Sequence, residues 1–73
     1  MIRRENICRQ NLIIEYVRHV NGKTEHAYVE DMGGSWYAVL GEKKYPQHST
    51  VVKSFDTVKG ARRKLESMWY RPK

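Results

Sequence analysis

A single cysteine in 73 residues leaves no partner for an intrachain disulfide and no ligand set for a cysteine-rich zinc finger, and it suits a reducing cytosol. A phosphate-loop motif is lacking: the one glycine pair, Gly33-Gly34, has no Lys-Ser/Thr after it. The pair reads as a turn and not as a phosphate-cradling loop. No apolar run approaches the ~20 residues that a membrane-spanning helix needs. The start, Met1-Ile2-Arg3-Arg4-Glu5, lacks the apolar stretch of a secretory signal. Length is short too. A chain of 8.7 kDa has room for one small core, and a domain of this size buries only about 60% of its unfolded surface. Ordering costs roughly 1.5 kcal/mol per residue, so burial and entropy nearly cancel. A buried multi-residue active site with a cofactor fits poorly, and neither a cofactor nor an enzymatic activity is expected.

Acid is the scarcer charge: 8 acidic against 14 basic residues, net +6. The excess is uneven. Residues 10–52 are nearly balanced, with Arg18, Lys23, Lys43 and Lys44 against Glu15, Glu25, Glu30, Asp31 and Glu42. Residues 53–73 carry Lys53, Lys59, Arg62, Arg63, Lys64, Arg71 and Lys73 against only Asp56 and Glu66, and the first nine carry Arg3, Arg4 and Arg9 against Glu5. Clustered positive charge attracts polyanions. It also serves as a solvated face that keeps a small protein from associating.

Residues 12–20 alternate as a strand, with Leu12, Ile14, Tyr16 and Val20 against Ile13, Glu15, Val17 and His19. Asn21-Gly22 follows, the strongest short hairpin signal, because a type I′ turn needs positive φ at both central residues. A two-residue turn there predicts Val20 opposite Lys23, Arg18 opposite Glu25, Tyr16 opposite Ala27 and Ile14 opposite Val29. Opposite charges meet and apolar residues meet, as cross-strand pairing favours. Ser35 to Leu40 reads as a third strand and Thr50 to Phe55 as a fourth, with a polar loop from Glu42 to Ser49 between them. Asp56 or Thr57 caps a helix running to about Tyr70. Its apolar stripe is Val58, Ala61, Leu65, Met68 and Trp69. Gly60 lies off that stripe and weakens the helix by about 1 kcal/mol against Ala.

The expected fold class is α+β, a three- to four-stranded antiparallel meander packed on one C-terminal helix. Residues 1–10 form an N-terminal arm and residues 11–73 a single domain. The predicted core is Leu12, Ile14, Tyr16, Ala27, Val29, Trp36, Ala38 and Leu40 against the helix stripe. The other sheet face is expected to expose Ile13, Val17, His19, His26, Tyr28, Tyr37 and Val39. A patch that apolar usually marks an interface, unless the N-terminal ten residues cover it.

Catalytic and metal chemistry find little to use. Cys8 lies in a segment with no predicted rigid structure, so pairing it with His19, His26 or His48 leaves the nucleophile unheld. Glu30 and Asp31 are strand neighbours and point to opposite faces. His19 and His26 share a face, but two imidazoles fall short of the four ligands of a structural zinc. Polyanion binding finds more. Lys59, Arg62, Arg63 and Lys64 stand off the helix stripe, and Lys43 and Lys44 sit in the loop; such groups neutralise phosphates without reading sequence. Tyr28 and Tyr37, on adjacent strands, offer rings for base stacking.

Two stretches carry a family resemblance: Gly34-Ser35-Trp36-Tyr37-Ala38, and Ser54-Phe55-Asp56-Thr57 followed by Ala61. Between Ala27 and Leu65 the chain resembles the ethylene-response-factor type DNA-binding domain of plants and the related arm-binding domains of phage and transposon integrases. The resemblance implies a three-stranded sheet on one helix, with the sheet's free face in the DNA major groove. The family bears arginines and tryptophans on that face; here the first of its strands reads Ala27-Tyr28-Val29-Glu30-Asp31, with acid in place of base. The strand from Leu12 to Val20 is an addition.

The expected function is a small basic, non-enzymatic, cytoplasmic nucleic-acid-binding protein, with DNA the expected partner before RNA. By size and integrase-like pattern it is expected to be an accessory factor of a mobile element. The contact residues would be Lys43, Lys44, Lys59, Arg62, Arg63 and Tyr37. The alternative is a protein-interaction or inhibitor module, dimerising or binding a partner through Ile13, Val17, Tyr28, Tyr37 and Val39.

Overall fold

The Asn21-Gly22 turn sets the frame. Its two residues have φ of 51° and 79°, the double positive φ of a type I′ hairpin. They join β1 (Ile13–Val20) to β2 (Lys23–Asp31). The register is the one the turn dictates: Arg18 faces Glu25, Tyr16 faces Ala27 and Ile14 faces Val29. The computed structural model describes residues 12–73. The N-terminal arm expected over residues 1–10, with Arg3, Arg4, Cys8 and Arg9, lies outside the described residues.

After β2 the Asp31 carboxylate accepts the Gly33 N–H at 2.9 Å, an Asx-type turn that leads into β3 (Trp36–Leu40). The loop from Gly41 to Ser49 holds a short 3-10 turn at Pro46–His48. It feeds β4 (Thr50–Phe55). On β4, Ala38 faces Lys53 while its neighbour Val39 faces Val51, so Val52 is an extra residue. Residues three apart on a regular strand point to opposite faces. The bulge resets the alternation, so Val52 and Phe55 both pack against the core.

Thr57 caps α1 (Val58–Ser67), its hydroxyl accepting the Gly60 N–H at 3.0 Å. A Cβ on Gly60 would stand 3.1 Å from Phe55 Cδ2. The glycine therefore lets the first helical turn approach the end of β4 closely. The helix packs across β2, β3 and β4, and Ala61 and Leu65 join Tyr16, Ala27, Val29 and Ala38 in the core.

The helix ends earlier than its apolar stripe suggests. Trp69 N–H donates to the Glu66 carbonyl at 3.0 Å and Tyr70 N–H to the Leu65 carbonyl at 3.1 Å. This is the paired reversal of a Schellman motif, and it requires a left-handed residue at its centre. Trp69 fills that position, with φ of 75°. The chain then runs back as β5 (Arg71–Pro72), antiparallel to β1, with Arg71 opposite Val17 and Pro72 opposite Tyr16. The result is a five-stranded antiparallel sheet in the order β4-β3-β2-β1-β5, with one helix on one face.

The expected α+β fold, an antiparallel sheet on one C-terminal helix, is what the chain adopts, extended by a fifth strand because the chain folds back after the helix. Two expectations are corrected. Trp69 is not core but 81% exposed: the left-handed turn swings it out, and Tyr70 enters the core in its place. Leu12 is also exposed, at 54%, because it precedes the first residue of β1.

Candidate nucleic-acid interface

The predicted contact residues fall into two groups on opposite sides of the sheet. Lys59, Arg62 and Arg63 follow i, i+3, i+4 spacing, which brings helix residues onto one side. All three are exposed. With Val58 and Glu66 they line a shallow groove along α1. Arg62 has a further duty. Its Nε donates to the Tyr16 hydroxyl at 2.8 Å, giving that fully buried ring's oxygen a partner, and this bond raises the guanidinium pKa further. Lys59 and Arg63 make no ion pair among the described residues. Lys64 is half-buried.

Lys43 and Lys44 lie in the loop beyond β3, and Tyr37 lies near the start of that strand. The loop lines a hollow with Glu15, His26 and Lys73. Glu15 and His26 are on the face of the sheet away from α1, the face that Tyr37 also occupies by alternation. Lys44 Nζ is 3.9 Å from Glu42 and 5.5 Å from the centre of the Tyr45 ring. His26 also approaches Glu42, at 3.9 Å. The loop cations are thus partly answered by acid, and the sheet separates them from the helix cations.

The five residues of the alternative interface share that second face, but they do not form a bare apolar surface. Tyr28 and Val39 are direct cross-strand partners and are only 4% and 3% exposed. Ile13, Val17 and Tyr37 are half-buried. The expectation of an exposed patch is corrected at its centre, where Tyr28 and Val39 are buried. Tyr28 is therefore not displayed as a stacking ring.

A third cluster was not visible in the sequence. The fold-back of β5 puts Arg71 beside Val17, and Lys73 donates from Nζ to the Glu15 carboxylate at 3.2 Å. Val17, His19, Trp69, Arg71, Pro72 and Lys73 then line a groove at the β1–β5 edge. His19 Nδ1 is 3.1 Å from the Thr24 hydroxyl. Arg18 anchors the groove from the helix side. It donates from Nε to Glu25 and from Nη1 to the Met68 carbonyl at 2.6 Å, and its guanidinium lies 4.5 Å from the Tyr70 ring centre. The bond to Glu25 raises the Arg18 pKa. Burial pushes the Tyr70 phenol above its ordinary value, against the opposing pull of Arg18. Arg18 also satisfies one of the orphan carbonyls at the negative end of α1. Arg18 opposite Glu25 was legible from the hairpin register, and Pro72 cannot continue a helix, but neither residue shows the fold-back that joins them.

No family model, no curated protein and no solved structure matches this chain.

Proposed function

We propose that this chain is a small, non-enzymatic nucleic-acid-binding protein of the cytoplasm that holds the phosphate backbone of a duplex, DNA before RNA, against the outer face of α1. One observation carries the reading: Lys59, Arg62 and Arg63 share an exposed helix side, and Glu66 is the only acid among the described residues that line the same groove. The placement works against helix stability. Lys59 stands in the first turn, where no acidic residue offsets it, and the helix dipole disfavours a cation there. Lys59 and Arg63 are also like charges one turn apart, a mildly destabilising pair. A role for the helix side outside the fold accounts for both costs. An accessory part in a mobile element's DNA transactions fits the chain's size and charge.

The test is a titration of duplex DNA at two salt concentrations with the wild type and with Lys59→Glu combined with Arg63→Glu. Weakened binding for every duplex sequence, with the fold retained, is the expected result. Unchanged affinity would overturn the assignment of the helix face. Arg62 is left in place, because reversing it would also strip the buried Tyr16 hydroxyl of its partner.

A further inference from the structure

Trp69 is both strained and unburied. A bulky residue at positive φ is an outlier, and the centre of a Schellman motif is ordinarily glycine. Nothing is recovered by packing, since the side chain is 81% exposed. For the fold alone, glycine would serve better here. Strain kept at one residue without compensation is a pointer to function. The residue's neighbours say which function. Arg71, Lys73 and His19 line the groove beside the indole, with Val17 and Pro72 as its apolar part. The carboxylates near the groove among the described residues are answered: Glu15 by Lys73 and Glu25 by Arg18. Arg71 has no partner among the described residues. An exposed indole in a cationic groove offers a stacking surface for a base together with charge for the phosphates on either side of it.

We infer that the β1–β5 groove takes an unpaired stretch of nucleic acid, with one base stacked on Trp69 and a flanking phosphate held by Arg71. This inference rests on the nucleic-acid reading above and extends it to a second surface, on the opposite side of the sheet from the outer face of α1. The strand ladder supports the division of labour. Arg71 lies opposite Val17 on the face away from the helix, whereas Lys59 and Arg63 stand on α1 and line a separate groove.

Trp69 also supplies the probe. The other tryptophan, Trp36, packs against the core, so the quenching that disappears in Trp69→Phe is the part that reports the groove. The full chain is titrated with an oligothymidylate of about a dozen nucleotides, within the usual span of single-strand sites, and in parallel with polyglutamate. Quenching by the oligothymidylate and not by polyglutamate is expected. Trp69→Gly should raise the thermal midpoint yet weaken oligothymidylate binding between about fivefold and about a hundredfold, the range of one lost stacking contact. Trp69→Phe, which keeps a ring, should retain most of the affinity. Equal quenching by polyglutamate would make this an acidic-protein site and overturn the proposal. So would undiminished oligothymidylate binding in Trp69→Gly or, should that variant fold poorly, a loss in Trp69→Phe as large as that in Trp69→Ala. The two readings fail separately: loss of duplex binding tests Lys59 and Arg63, and loss of single-strand binding tests Trp69.

Discussion

At the level of single residues, two positions show how local constraint shapes this domain. Gly41 has φ of 131°, and a Cβ there would stand 2.7 Å from Ser49 Oγ and 3.0 Å from Ser49 Cα. A hydroxyl can turn away, but a backbone atom cannot. Gly41→Ala should therefore destabilise by about 1–3 kcal/mol, the cost of a sparsely populated backbone conformation, with the Ser49 clash in addition. Chemical denaturation would measure it, and an unchanged midpoint would refute the close approach. Tyr70 behaves differently. Its folded pKa is raised by burial, so above pH ~10 the unfolded chain loses its phenolic proton first. The stability this group contributes is complete below the unfolded pKa and is lost as pH rises through the folded one. Tyr70→Phe should unfold at the same denaturant concentration as wild type near neutrality, and the wild type should fall behind it above pH ~10. Parallel alkaline losses in both proteins would show that Tyr70 is not the group responsible.

Elements were legible where the chain carries its own local instructions. Asn21-Gly22 fixes the hairpin register because the turn's positive φ values leave one pairing, and Arg18 opposite Glu25 agrees with it. Thr57 marks the helix start by supplying an acceptor to an orphan N–H. Thr57→Ala should cost about 1 kcal/mol, and a thermal melt with no shift would mean that the Gly60 N–H finds another acceptor. The helix end was less legible. A left-handed turn is announced by glycine, and here tryptophan occupies it, at a position that helical periodicity assigns to the core. With the turn hidden, β5 and the corner that Arg18 ties together were hidden with it. The bulge on β4 leaves no sequence signal either, because Val51 and Val52 are equally apolar. For the candidate site, spacing alone placed Lys59, Arg62 and Arg63 together. It could not show that the sheet separates them from Lys43, Lys44 and Tyr37, which depends on the path of the loop after Gly41.

Across the whole molecule, the two sides of the sheet differ in how their charge is balanced. Among the described residues, the side away from α1 mostly interleaves signs: Lys73 meets Glu15 and Lys44 approaches Glu42, with Arg71 the exception. The helix side presents Lys59 and Arg63 without partners among the described residues, beside an Arg62 whose Nε is engaged with Tyr16. A polyanion is drawn by net potential, and cations already answered by carboxylates release few counterions when they bind. Salt dependence therefore assigns the contact. Each phosphate neutralised on a duplex contributes a slope of about −0.9 to log K against log salt. Reversing Lys59 and Arg63 to glutamate should flatten the duplex slope by about 1.8, two contacts' worth by the same rule. Reversing Lys43 and Lys44 should change it by clearly less, because Glu42 already offsets one of them. Both double variants keep the fold's hydrogen bonds, since none of the four side chains donates one among the described residues, so circular dichroism should match wild type. Equal flattening in the two variants would place duplex DNA on both sides of the sheet and refute the helix-face assignment. A slope unmoved by either would send the search for the remaining charge to Arg71 and Lys73.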